Sequence, residues 1–234
     1  MNCGDLNAID PLKKQPTEGV SSEGLSPMDP PDAYQPPSVE NIALEDLHPF
    51  LRSIVEEHGP VEKQVELFEA ALLSFQTDGP SREANEKIRE FFHFFDHEFV
   101  PHSRNEERFL FPLLHRRLIE VGEHSQGGAP TTAVDMLEND HTEALQLAAV
   151  VFNFLGVASR LPDENSRLLV LDAAIEQGKS LVELIKLHIF RENEVVFPLA
   201  AKHLTSEELD TIADQTDSDS ARVPDPLVEE APRT

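Results

Sequence analysis

Apolar residues recur every third or fourth position through most of the chain, the period of a helix with one buried face. A first stripe runs Leu47, Phe50, Leu51, Ile54, Val55, His58, Val61, Val65, Phe68 and Leu72. The segment "DGPS", 78–81, ends it. A second stripe follows through Ile88, Phe91, Phe92, Phe95, Phe99, His102, Glu106, Phe109, Leu110 and Leu113. "GEHSQGGAPTT", 122–132, reads as a loop with Thr132 as a helix N-cap. The third stripe is Val134, Leu137, His141, Leu145, Ala148, Phe152 and Leu155, closed by "RLPDENS". The fourth is Leu168, Leu171, Ile175, Val182, Ile185, His188, Glu192, Val195 and Leu199. Thr205 and Glu208 have the spacing of a capping box and announce a short fifth helix. No stretch alternates with period two for more than a few residues, so no sheet is expected.

Four long amphipathic helices on short connections predict an all-α fold, an antiparallel up-down-up-down four-helix bundle. Pro60, Pro101 and Pro112 fall inside or at the ends of the stripes, where each is expected to kink or stop its helix. Residues 1–40 are rich in Pro, Ser, Asp and Glu and poor in large apolar side chains. They are expected to form a disordered acidic tail, as is 215–234, leaving the bundle at 44–213.

The formal net charge of -25 argues against nucleic acid or an anionic membrane as partner, because both need a basic face. Cys3 is the one cysteine, so neither a disulfide framework nor a thiolate cluster can form. That usage fits a reducing cytoplasm. The opening "MNCGDLNAID" lacks the basic and apolar regions of a secretory signal. The most apolar window, "ALQLAAVVFNFLGVA", contains Gln146 and Asn153 and reads as too short for a bilayer span.

Within the stripes, a few positions are polar where apolar residues belong. "HSRNEERFLFP", 102–112, recurs in outline as "HIFRENEVVFP", 188–198. His102 and Glu106 are four apart, as are His188 and Glu192, so each pair shares one helix face. His58 and His141 lie on the inner stripes of the other two helices, 44 and 47 residues before His102 and His188. The halves therefore read as a duplicated helical hairpin. From His58 to Asp78 and from Ser81 to His102 the helices rise about 30 Å, which levels the two histidines. The intervals His102–Pro112 and Thr131–His141 level the second and third helices if Pro112 marks the bend into the loop. Buried imidazoles and carboxylates are costly unless they bind something.

Four imidazoles and two carboxylates without thiolate suit a pair of metal ions, with iron favoured and manganese or zinc as alternatives. If both glutamates bridge and an oxo or hydroxo group bridges as well, one position per octahedral metal stays open to a small ligand. His58, His102, Glu106, His141, His188 and Glu192, with the Phe-Pro after each His-x3-Glu, resemble the haemerythrin-like (HHE) cation-binding family over about residues 44–213. The resemblance implies an antiparallel four-helix bundle around a non-haem di-iron centre of two iron ions. Oxygen-carrying haemerythrins have a second histidine four residues from the first on the third helix, where this chain has Leu137 and Leu145. The four-His, two-Glu set looks more like bacterial di-iron proteins linked to iron-sulfur cluster repair and nitric oxide stress.

The expected function is a metal-binding protein that binds or senses dioxygen, nitric oxide or iron itself. The alternatives are a di-iron enzyme acting on peroxide or nitric oxide, an iron donor in cluster repair, and a structural or zinc-filled site. Glu62 mimics the His-x3-Glu spacing after His58 and is set aside because of Pro60. His93 and His97 form a further four-apart pair expected on the surface, and Glu98 reads as solvated. His48, His115, His124 and His203 also read as surface histidines.

Overall fold

The computed structural model describes residues 42–125 and 129–220. Among them there is no strand. After a 3-10 turn at Leu44–Asp46, five helical rods follow. Helix α1 is Pro49–Asp78. Helix α2 spans 82–121 as α segments joined by π turns at Phe95–Phe99 and Glu106–Leu110. Helix α3 is Ala133–Ala158. Helix α4 spans 164–203 with one π turn, Glu192–Val196. Helix α5 is Ser206–Ser220. The fold is all-α, with α1 packed on α2 and α4, α3 on α4, and α5 on α1 and the second π turn of α2.

Local chemistry sets the ends. His48 caps α1 by accepting from the Phe50 amide, and Pro49 sits in the first turn, where its missing N–H costs nothing. Gly79, at φ 80°, takes the left-handed conformation that ends α1. Ser81 caps α2 by accepting from the Ala84 amide at 3.1 Å. Thr132 is the expected cap of α3, in a capping box closed by Asp135. Asp163 accepts from the Ser166 amide to start α4. Thr205 and Glu208 form the reciprocal box that the spacing predicted for α5.

The prolines behave differently from expectation. Helix α1 runs through Pro60 without a break. Pro101, Pro112 and Pro198 each sit in the first turn of an α segment that begins where a π turn ends. The wider π turn restarts the helical register, so each proline meets the one place in a helix that tolerates it. Pro112 is therefore no bend: α2 continues to Val121, and Gly122 ends it at φ 81°. The start of α3 lies back beside α2, because His115 Nδ1 is 3.0 Å from Thr132 Oγ1.

Three further expectations change. The apolar window lies inside a 26-residue helix, α3, which is long and apolar enough to cross a membrane by length and composition alone. Leu145, Phe152 and Leu168, assigned to inner stripes, are exposed, while Ala148 and Ile175 are buried as expected and Val151 and Ala174, outside those stripes, are buried as well. Small residues let α3 and α4 approach closely, which turns the bulkier neighbours outward. Helix α5 runs past residue 215 to Ser220, where Asp219 pairs with Arg104 and Arg108. The remaining tail positions, 1–40 and 221–234, lie outside the described residues.

The core is in two parts. One apolar cluster joins Val61–Phe75 of α1 to residues 84–99, 144–151 and 175–189. The other joins Leu47, Leu51 and Ile54 to residues 110–118, 133–137, 196–204, Leu209 and Ile212. Between them each of the four long helices contributes buried polar residues at one level: His58; Glu106; Asp140 and His141; His188 and Glu192.

Candidate metal centre

The helix phase and the π turns aim six side chains into that gap. His102 and His188 lie in the last turns of α segments, and Glu106 and Glu192 open the π turns that follow. Glu192 is 0 % exposed and Glu106 3 %. Glu106, His141, His188 and Glu192 bring one donor atom each within 4.8 Å of one another, and so do His58, His102 and Glu192. All six predicted residues thus meet in two overlapping groups that share Glu192.

Inside, imidazole nitrogens and carboxylate oxygens crowd together. Glu192 places Oε2 3.1 Å from His58 Nε2 and Oε1 3.1 Å from His188 Nε2. Glu106 Oε2 lies 3.6 Å from both His102 Nε2 and His141 Nε2. His141 and His188 face each other through Nε2 atoms 3.0 Å apart. Although these distances are short, both oxygens of Glu106, both oxygens of Glu192 and His58 Nε2 have no hydrogen-bond partner of adequate geometry. Unpartnered polar atoms this deep are expensive. A cation at their meeting point removes that cost, and the donor set of imidazole nitrogen and carboxylate oxygen fits a transition metal.

A second ring of residues, missed in the sequence, turns the imidazoles inward. His58 Nδ1–H donates to Asn193 Oδ1 at 3.0 Å and His102 Nδ1–H to Glu57 at 2.7 Å. His141 Nδ1–H donates to Glu107 at 2.8 Å. His188 Nδ1 lies 3.5 Å from Asp140, whose carboxylate is gripped through both oxygens by Arg191 Nη1 at 2.7 and 2.8 Å. An oxygen at Nδ1 keeps the proton there and leaves Nε2 its lone pair for a metal. The duplication carries this ring too. Glu57 and Asp140 each precede a ligand-type histidine, and Glu107 and Asn193 each follow a buried glutamate. Adjacency to the duplicated positions was the signal available in the sequence.

The electrostatics follow from burial and crowding. Burial and the neighbouring Glu192 raise the Glu106 carboxyl well above the usual carboxylate range. Burial would raise Glu192 as well, but His188 and His58 hold it low. Burial and the facing His188 lower His141 to about 3. His188 is pulled down by burial, yet Glu192 and Asp140 outweigh that and hold it at about 9. His188 therefore keeps its proton at neutral pH when no cation is bound.

The other histidines separate cleanly. His93 and His97 are exposed on α2, with rings stacked 4.1 Å apart. Glu62 and Glu98 are exposed and outside both donor groups. His48 and His115 have partners after all, Asp210 and Asp135, at 3.4 and 3.2 Å. His124 and His203 are half-buried rather than exposed. A cavity of about 310 Å³ reaches Glu106 and His102 between α1, α2 and α5.

No curated protein matches the chain. Residues 50–200 match the description of the Hemerythrin HHE cation binding domain, and that stretch contains the whole buried His/Glu cluster. The chain belongs to the hemerythrin HHE family and is a metal-binding, haemerythrin-like protein.

Proposed function

We propose that the protein holds two iron ions between His58, His102, Glu106, His141, His188 and Glu192 and uses them to bind or sense a small ligand such as dioxygen, nitric oxide or peroxide. The observation that carries this reading is the set of inward, unpartnered donor atoms divided into two groups around Glu192. Iron bound there would supply coordination positions for a diatomic ligand and a reversible change of oxidation state.

The chain's own residues do the rest. Asn193, Glu57 and Glu107 orient the imidazoles of His58, His102 and His141, and Asp140 faces that of His188. Phe111 stacks on His141, with ring centres 5.9 Å apart, and Phe197 on His58 at 5.8 Å. Phe99 stands edge-on to both His141 and His188. These rings exclude water, which limits exchange and tunes the potential of a bound metal. Access remains at the His102–Glu106 side, where Glu57, Asn105 and Ser53 line the cavity alongside Phe50 and Ile54.

The optical spectrum of the full chain, taken reduced and then after exposure to air or nitric oxide, tests the proposal. A reversible ligand-dependent absorption band is expected. Spectra that never change with either gas would contradict it.

A further inference from the structure

The C-terminal helix α5 has two unlike halves. Its first half is anchored. Leu204, extended at the junction with α4, is buried, as are Leu209 and Ile212. Thr205 and Glu208 close the capping box, and Glu208 also pairs with Arg117 of α2 at 2.7 Å. Beyond Ile212 no described residue of α5 is fully buried. That outer half, 213–220, reads "ADQTDSDS" and is a poor helix by composition, since Asp, Ser and Thr are weak helix formers. Asp217 and Asp219 stand at the negative end of the helix dipole, with no basic residue in the last turn to offset them. The offsetting charge comes from α2. Asp219 Oδ2 accepts from Arg104 at 3.0 Å and also from Arg108. The Asp219 side chain is 15 % exposed, while both arginines are about half exposed.

This half lies over the way to the centre. Ala213, Thr216 and Asp217 line the same cavity as Glu57, His102 and Glu106. Arg104 and Arg108 bracket Glu106, two residues before it and two after. The ion pairs therefore tie the outer half of α5 to the stretch of α2 that carries two of the inner donors.

Resting on the di-metal reading above, we propose that residues 213–220 act as a charge-latched cover over the centre. Docked through Asp219, they narrow the approach to His102 and Glu106 and slow the exchange of metal with solvent. Released, they fray outward from Ile212 while the first half of α5 stays in place, a local opening that leaves the bundle intact. The moving part is this half because the apolar anchor ends at Ile212 and because the arginines of the latch are exposed enough for salt to screen them.

Two measurements on the full chain test this. Release of bound Co2+ to excess EDTA, followed by absorption, reports exchange at the centre. Amide hydrogen exchange of the metal-free chain, read by mass spectrometry, reports α5 itself. In D219N, Co2+ release should quicken at least about threefold, the scale of lost surface ion pairs. Amides of 213–220 should exchange faster, while those of 206–212 keep their protection. D214N, which removes the same charge from the same half but leaves the Asp219 pairs, should change neither rate. Raising NaCl from about 0.05 to about 0.5 M should loosen 213–220 in the parent and have little effect in D219N. Unchanged amide exchange in D219N would overturn the proposal, and so would faster amide exchange without faster Co2+ release. Equal quickening by D214N would overturn it too, since charge alone would then set the rate. If the parent retains no Co2+, the di-metal reading fails and amide exchange decides the latch by itself: loss of protection at 213–220 in D219N upholds it, and intact protection overturns it.

Discussion

Nδ1 of His141 lies 2.8 Å from Oε1 of Glu107, the residue immediately after the buried Glu106. One turn of α2 therefore supplies a donor to the centre and, from the next residue, the group that aims a donor on α3. Asn193 repeats this from α4 to His58. Glu107→Ala should weaken metal binding by about 10–100-fold, the usual effect of losing an outer hydrogen-bond partner. Glu107→Gln, which keeps an acceptor oxygen, should lose much less. Competition against a chelator of known affinity measures both, and equal affinity in Glu107→Ala and parent would refute the role.

Asp140 ties two demands together, holding Arg191 and facing His188. Burial raises its carboxyl, but His188 and Arg191 outweigh that and keep it low, so it stays ionised. Asp140→Ala strands a half-buried guanidinium and frees the His188 ring. The metal-free variant should lose about 2 kcal/mol, below the cost of a fully buried broken pair because Arg191 retains some solvent. Urea unfolding of the metal-free protein gives the value, and a loss under about 0.5 kcal/mol would show the pair to be ornamental.

The proton held by His188 makes the metal-free chain sensitive to pH. His188 binds its proton more tightly when folded, at about 9 against an ordinary 6.5. Such a group stabilises the fold fully below its ordinary pKa, and the stabilisation fades as pH rises through the folded value. Glu106, also raised, acts in the same direction above 4.5. Glu192 and Asp140, held low, act oppositely: their contribution is present at neutral pH and is lost as pH falls into the acid range. The metal-free chain should therefore lose stability between pH 6.5 and 9, on the order of 3 kcal/mol for a shift of that size. With metal bound the decline should vanish, because the cation replaces the proton. Chemical denaturation across pH 5–9, with and without metal, checks this; a flat metal-free profile contradicts it.

Close packing of α1 on α4 gives a prediction away from the centre. A Cβ at Gly178 would stand 2.7 Å from Leu72 Cδ1, and Leu72 is fully buried. Gly178→Ala gains about 1 kcal/mol of helix propensity and loses about 1–3 kcal/mol to overpacking. A net destabilisation of about 1 kcal/mol is expected, relieved when Leu72→Val is added. Thermal unfolding of the single and double variants reads it out, and a single variant more stable than parent would mean that Leu72 can move aside.

The six inner donors were legible in the sequence because each is polar on an otherwise apolar 3.6-residue stripe, and because the spacing occurs twice. Glu57 and Glu107 were not, since a carboxylate on a helix flank reads as solvated whether or not it reaches across to another helix. The common level of the donors was inferred partly from a wrong premise, that Pro112 bends the chain. The start of α3 instead lies beside His115, within a turn of Pro112, through the His115–Thr132 contact. Proline alone did not disclose the π turns, because it excludes an α-helical interior without saying which wider geometry takes its place. Phe152 and Leu168 were misplaced because periodicity fixes a stripe but not which edge of it faces inward when small residues bring two helices together.

Metal content of the purified full chain, set beside the Glu106→Ala and His97→Ala variants, bears on the centre most directly. About two iron ions per parent chain are expected, with occupancy falling sharply in Glu106→Ala and holding in His97→Ala at equilibrium. Less than about one iron per parent chain, or equal losses in the two variants, would contradict a di-iron centre built from these six residues.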